Sequence, residues 1–354
     1  MKNLLFLILF LSINIVSFSQ AKTDKEKAYE KAKEAIAIMD QGNYDESIQL
    51  LEESWKLDRR NFNYPYEIGY AYILKKDYAT ACEYFEYVVK MNKINDQCYQ
   101  MLGNAYSMAG KPKKAIAAYN KGLELFPNSG RLYLELGNMQ GDDLNQAIKF
   151  YEKGVMADPN FSSNYYWLTK LFCRSTEEMW GMLYGEMFMN IERGSKRTEE
   201  ISKLLFDTYK SEIQFTTDST IMVSFCKNHE FRADNMTGKL PFSMIYEPGL
   251  MFAITVTDSI NLESLNKIRS EHCMFYFDRK FDQMHPNLVF DWHKFLIEDD
   301  LFECYNYWLL MKGAPDEFDS WYNLNREKYD EFIKWFAANP LEIDDSNCFH
   351  RLKH

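Results

Sequence analysis

The residues of this chain best suited to chemistry are Asp291 and His293 in the segment FDWHKF, with His285 close by. Two histidines and a carboxylate make a minimal zinc ligand set. The spacing argues against one. On a helix, residues i and i+2 point in different directions, His285 precedes Pro286 in a loop, and no H-E-x-x-H occurs. His293 is therefore expected on a helix surface, with no metal. Asp142–Asp143, Asp299–Asp300 and Asp344–Asp345 fall at expected turns or helix starts, where carboxylates cap helices and complement the dipole. There is no Gly-rich phosphate loop and no G-x-S-x-G elbow. The seven cysteines form no C-x-x-C pair, and their odd number leaves at least one unpaired or bridging between chains. Most sit beside Tyr, Phe or Met in helix-like segments, as small apolar filler does. The expectation is a chain that is not an enzyme and takes no cofactor.

The elements that would carry any site must come from 354 residues, about two domains' worth. A formal net charge of −11 disfavours nucleic acid, whose binding depends on clustered Lys and Arg. With 26 Phe, 24 Tyr and 7 Trp, the chain can offset its ordering entropy, so disorder is excluded.

Internal repetition is the dominant pattern. Gly69, Gly103 and Gly137 are spaced 34 and 34 apart, and Tyr72 and Tyr106 follow the first two by three residues. Ala81, Ala115 and Ala147 precede Phe85, Tyr119 and Tyr151 by four, and Pro127 and Pro159 close two units. At these residues the chain resembles the tetratricopeptide repeat family, with its W-x2-L-G-x2-Y, A-x3-F and P pattern. Tyr99-x2-Leu102-Gly103-x2-Tyr106, Ala115-x3-Tyr119 and Pro127 match it almost fully, with Tyr in place of the opening Trp. The next unit matches at Tyr133, Leu136, Gly137, Ala147, Tyr151 and Pro159, but has Gln140 at the second aromatic and an inter-helix turn two residues short. The resemblance implies a mainly α fold, a tetratricopeptide α-solenoid of four to five helix pairs. The pairs span 28–61, 62–95, 96–129, 130–161 and a degenerate 162–195, an array of 28–195 in all. Gly and Ala would sit where paired helices cross, and stacking of pairs would bury the apolar faces that one pair leaves open.

The same resemblance places positions 2, 5, 9 and 12 of each first helix on the concave face. These are Asn63, Tyr66, Tyr70 and Ile73, then Gln97, Gln100, Asn104 and Ser107, then Arg131, Leu134 and Asn138, and finally Tyr166 and Lys170. In peptide-binding members an Asn at the position of Asn104 and Asn138 bonds the backbone of an extended ligand. An amide can donate and accept at once, which suits a peptide group. A solvated polar surface without a ligand is the other reading of the same residues. With only Arg131 and Lys170 among polar neutrals, carboxylate recognition is not expected.

Residues 196–354 lose the period and read as a mostly helical C-terminal domain. GSKRTEEISKLLFDTYK gives one more amphipathic helix. Ile213, Phe215, Ile221, Val223 and Phe225 alternate as the buried side of a β-hairpin joined near Thr217–Thr220. Helices follow from Pro241 to about Val256 and from Leu262 to about Phe277, then two with a break near Asp299–Asp300 and a last pair after Pro315. Trp308, Trp321 and Trp335 are expected in the core, and the domain is expected to cap the last repeat.

Residues 1–19 read as a signal peptide: Lys2, an apolar run from Leu4, then Ser17 and Ser19 two apart before the cut. This leader is similar to those of exported Bacteroidetes proteins, and the triplets Asp218-Ser219-Thr220 and Asp258-Ser259-Ile260 resemble their O-glycosylation acceptors. Asn235-Met236-Thr237 fits an N-glycosylation acceptor. The sequence thus points to an exported scaffold, periplasmic or secreted, without a transmembrane segment in the mature chain, that binds a protein or peptide. The alternative is a carbohydrate or small-molecule binder of the cell envelope, stacking sugars on Tyr66, Tyr70 and Tyr166.

Overall fold

The computed structural model describes residues 22–215, 221–227, 240–254, 258–344 and 346–353. The leader, the hairpin turn, Asp218-Ser219-Thr220 and Asn235-Met236-Thr237 lie outside them. Contacts divide the chain into two compact units, one ending at Ile94 and the other running from Asn95.

The first unit holds two helix pairs. Helix α1 (Asp24–Asp40) starts on a capping box, with Thr23 Oγ1 accepting from Glu26 N at 3.3 Å and Glu26 Oε2 accepting from Thr23 N at 2.7 Å. Its small stripe Ala28, Ala32 and Ala35 lets α2 (Tyr44–Leu57) pack closely after a turn at Gly42, φ +87°. Asp77 caps α4 (Tyr78–Val88), accepting from Thr80 N at 3.1 Å, and α4 packs on α3 (Asn63–Leu74). Ala28, Ala35, Leu51, Ile68 and Ala71 form the unit's fully buried centre.

The second unit opens with three more pairs: α5 (Asp96–Met108) with α6 (Pro112–Leu125), α7 (Gly130–Asn138) with α8 (Leu144–Ala157), and α9 (Ser162–Phe172) with α10 (Glu178–Ile191). Pro112 starts α6 at a position that has no N–H to satisfy, and Pro127 and Pro159 stand in the turns after α6 and α8. The glycine column has a direct cause. A Cβ on Gly103 would overlap the Tyr119 ring and one on Gly137 the Tyr151 ring. The repeated glycines and aromatics are therefore the two sides of one helix crossing.

Helix α11 (Lys196–Glu212) packs on α9 and α10 and leads into the antiparallel strands β1 (Ile213–Phe215) and β2 (Ile221–Val223). Ile213 pairs with Val223 and Phe215 with Ile221. Ile213 and Phe225 are buried while Gln214 and Met222 face out, which is the alternation read from the sequence. Then follow α12 (Ser243–Ile254), α13 (Leu262–Asp278), α14 (Leu288–Glu298), α15 (Phe302–Leu310) and α16 (Pro315–Ala338). Asp300 takes φ +56° at the expected break between α14 and α15. The expected last pair lies within α16 as two helical stretches that meet without a loop at Asn325 (φ −121°, ψ 21°), whose Nδ2 donates to Trp321 O at 2.9 Å. The kink is sharp: the rings of Phe318 and Tyr329, on opposite sides of it, have centroids 5.4 Å apart.

One core runs from Leu134, Tyr151 and Val155 through Phe172 and Phe188 to Leu205, Tyr305, Phe336 and Phe349. Trp308 is buried in it, and Trp321 and Trp335 pack against it. Ile343 and Arg351 return onto the repeats: Asn160 Nδ2 donates to Ile343 O at 3.1 Å, and Arg351 Nε donates to Glu152 Oε1 at 2.8 Å. All seven cysteines are free thiols, six of them buried, and burial pushes Cys173 and Cys273 up to about 12 and Cys304 to about 11. They are filler rather than nucleophiles.

Candidate binding face

The first helices α5 and α7 carry a connected polar row. Asp96 Oδ2 accepts from Ser129 Oγ at 2.6 Å and from Arg131 Nε at 3.1 Å. Gln100 Nε2 donates to Glu135 Oε1 at 2.7 Å, and its Oε1 accepts from Arg131 Nη1 at 3.4 Å. Gln97 and Ser107 are exposed beside them, whereas Leu134 is buried in the core.

Asn104 and Asn138 sit one residue after the crossing glycines, and both use the same bond. Tyr119 OH donates to Asn104 Oδ1 at 2.6 Å, and Tyr151 OH donates to Asn138 Oδ1 at 2.9 Å. Burial raises both phenols, Tyr151 to about 12, so each remains a donor at neutral pH. With the amide oxygen engaged, Nδ2 is the other polar end of each side chain, and the two differ in what it meets. Glu135 Oε2 accepts from Asn138 Nδ2 at 3.2 Å, while no group among the described residues accepts from Asn104 Nδ2. The device needs Tyr where the repeat pattern has Phe. In the first unit, where Phe85 fills that column, Tyr70 stands at the Asn position.

Within the first unit, α3 presents Asn63 and Tyr70 to solvent, and Tyr66 sets its half-buried ring edge-on to Phe85, centroids 5.5 Å apart. In the second unit Tyr166 is buried. Its hydroxyl donates to Glu200 Oε2 at 2.6 Å, and Lys170 and Arg197 lie 5.0 and 5.1 Å from its ring centroid. Of the three tyrosines that would stack sugars, only Tyr70 is exposed. Lys170 also pairs with Glu200 Oε1 at 2.7 Å, whose hydrogen bond raises the ammonium pKa. Both cations of this face, Arg131 and Lys170, are thus already held by carboxylates.

A buried charged network lies elsewhere, and no expectation from the sequence pointed to it. Glu186 on α10 is buried with Arg269 of α13, His293 of α14 and Tyr305 of α15. Its Oε1 accepts from Arg269 Nη2 at 2.5 Å, from Tyr305 OH at 2.9 Å, and from His293 Nε2. Arg269 Nη1 also donates to Asn306 Oδ1 at 2.6 Å. Burial works against the Glu186 charge, but Arg269 and the bonds from His293 and Tyr305 outweigh it and bring the carboxyl to about 2. Burial lowers His293 and drives the neighbouring His272 down to about 3.

His293 is therefore not the surface residue its spacing suggested, because its partners come from two distant helices. His285 is buried too, donating from Nε2 to Leu240 O at 2.7 Å, while Asp291 is exposed. Asp291, His293 and His285 are not gathered at one point: both histidines are buried and Asp291 is exposed. Among the described residues, no group of three or more His, Cys, Asp or Glu is placed to hold a metal. Every member of the Glu186 network is buried, so no substrate reaches it without opening the core. A clue to it was present in the sequence: one acid in the otherwise apolar stretch MLYGEMFM.

The crossing geometry and the sequence agree on the repeat. Residues 66–95 and 97–129 are tetratricopeptide repeats. Repeats of this kind typically build protein–protein interaction scaffolds. The chain is similar to the BBSome complex member BBS4 of Bos taurus, 29% identical over 106 residues, which cover 28% of this chain and 20% of that protein. It spans about a fifth of the length of the curated relatives it matches. Among solved structures, pilF of Pseudomonas aeruginosa is 15% identical, with 54% of this chain and 86% of that one covered and a TM-score of 0.43. MamA of Desulfovibrio magneticus RS-1 is 20% identical, with 48% and 98% covered and a TM-score of 0.37. No described helix is long and apolar enough to cross a membrane.

Proposed function

We propose that the protein is an exported, non-catalytic scaffold that binds an extended segment of another protein on the first-helix face of its tetratricopeptide repeats, the concave face of such an array. The observation that carries this reading is the repeated Asn–Tyr bond at Asn104 and Asn138. It fixes each amide by its oxygen, leaving Asn104 Nδ2, and the second N–H of Asn138 Nδ2 beside its bond to Glu135, to donate to a peptide carbonyl. Gln97 and Ser107, exposed on the same helix as Asn104, supply further neutral donors and acceptors. The engaged Arg131 and Lys170 favour a peptide backbone over a terminal carboxylate. The leader at residues 1–19 supports export, to the periplasm or beyond the cell.

Replacing Asn104 alone would leave the buried Tyr119 hydroxyl without its acceptor. The test therefore combines Asn104→Ala with Tyr119→Phe, and Asn138→Ala with Tyr151→Phe, removing both ends of each bond. Wild type and this fourfold variant would be compared as baits in an envelope fraction of the parent organism, with captured proteins identified by mass spectrometry. A partner held by wild type and released by the variant is expected. Equal capture by both would overturn the assignment of this face. Edman sequencing of protein exported by that organism should begin at Gln20.

A further inference from the structure

The first unit contains a cleft of about 770 Å³ where the α2–α3 loop meets the first turn of α1 and the segment after α4. Its lining is concentrated positive charge: Lys25 from α1, Arg59 and Arg60 from the loop, and Lys90 and Lys93 from after α4. These are five of the twelve Lys and Arg between residues 22 and 94, set against a single acid, Asp58. All five are exposed, and none forms an ion pair among the described residues. Of the seven other cations between residues 22 and 94, three are paired, Lys27, Lys31 and Lys75 to Asp24, Glu53 and Asp45. Phe62 and Met91, both half-buried, give the cleft an apolar component.

Unpaired cations gathered in a concavity repel one another and focus a positive field on whatever enters. We propose that this cleft docks a short acidic segment of a partner protein, with carboxylates on Arg59, Arg60, Lys90 and Lys93 and an apolar side chain against Phe62 and Met91. The charge balance selects a short ligand. Screening limits each exposed charge to about 8–10 Å, so a short segment senses mainly the cleft, whereas a long polyanion or an anionic bilayer also meets a chain of net charge −11. A concave pocket also matches a peptide better than a flat membrane. Arginine suits carboxylates through its bidentate fork, and the Arg59 guanidinium is steadied over the Trp55 ring, 5.2 Å from its centroid. None of the lining residues belongs to the concave-face set, so this surface stands or falls separately from the one proposed above.

The test is fluorescence anisotropy of the mature chain with a fluorescein-labelled octapeptide of glutamates around one phenylalanine. A lysine octapeptide, single-stranded DNA and phosphatidylglycerol vesicles serve as comparison probes. Arg59→Glu with Arg60→Glu, and separately Lys90→Glu with Lys93→Glu, should each weaken binding of the acidic peptide about tenfold or more, and added salt should weaken it further. The fourfold Asn–Tyr variant should bind the peptide as wild type does. All four reversed residues are exposed, and unchanged circular dichroism would confirm that the variants fold. Equal affinity of wild type and both charge-reversed variants would overturn the proposal. So would vesicles or DNA that bind more tightly than the peptide and are lost with the same substitutions.

Discussion

The repeats α5–α8 and the helices around Glu186 meet the same need, fixing one helix against another, with different chemistry. In the repeats, a glycine admits an aromatic ring and one neutral hydrogen bond closes the crossing. Its partners are 15 residues apart at Asn104–Tyr119 and 13 at Asn138–Tyr151. Around Glu186 a carboxylate meets one cation and two further donors, Arg269, His293 and Tyr305, all buried and 83, 107 and 119 residues away. The local device can be lost in one pair while its copy in the next stays intact. The distant one exists only when α10, α13, α14 and α15 are all in place, so the second half should lose its order in one step.

The largest expected effect is at Glu186. Glu186→Gln removes the counter-charge of buried Arg269 and should cost about 3–5 kcal/mol in urea unfolding. Glu186→Leu combined with Arg269→Met should cost much less, because no charge is then stranded. Equal losses in the two variants would show that packing alone, not charge, is what matters there.

Acid should reveal the same asymmetry. The Glu186 carboxyl titrates at about 2 in the folded chain against an ordinary value of 4.5, so its contribution is complete above 4.5 and disappears as pH falls toward 2. His272, held neutral down to about 3 where the unfolded chain takes its proton near 6.5, also disfavours the native state on acidification. Urea midpoints measured from pH 7 to pH 2 should fall steadily in wild type. In Glu186→Gln the fall below 4.5 should be shallower, and an identical slope would remove Glu186 as its source.

Smaller effects belong to the repeats. Gly103→Ala forces a methyl into the Tyr119 ring and should cost about 1–3 kcal/mol in thermal or urea unfolding. Smaller still is Asn104→Ala, at about 1 kcal/mol for the orphaned phenol, with most of that recovered by adding Tyr119→Phe. A double-mutant cycle with no coupling would show that the bond contributes nothing to stability.

The contrast also explains what could be read from the sequence. The repeat pairs were legible because each crossing leaves its glycine and aromatic at a fixed spacing, and the hairpin because Ile213 to Phe225 alternate. The break at Asp299–Asp300 was legible from two turn-forming residues side by side. The last pair was legible as an interruption of the helical pattern, but nothing in that pattern says that its halves join at Asn325 without a loop. The equivalence of Asn104 and Asn138 in successive repeats followed from register, but their bonds to Tyr119 and Tyr151 needed the crossing geometry. Burial of Leu134 and Tyr166 was missed because register along one helix does not say what the next helix covers. His293 was misplaced for the same reason: nothing within a helical turn of it announces Glu186 or Arg269.

The bond between Glu152 and Arg351 has a consequence in time. Glu152 lies on α8 and is buried, yet its cation arrives 199 residues later. A ribosome adding about 5–20 residues each second needs roughly ten to forty seconds to cover that distance. Throughout that interval the carboxylate has the Tyr184 hydroxyl, at 3.3 Å in the finished fold, but not its cation. The chain therefore carries a built-in delay before this ion pair closes, a delay that suits the export proposed above.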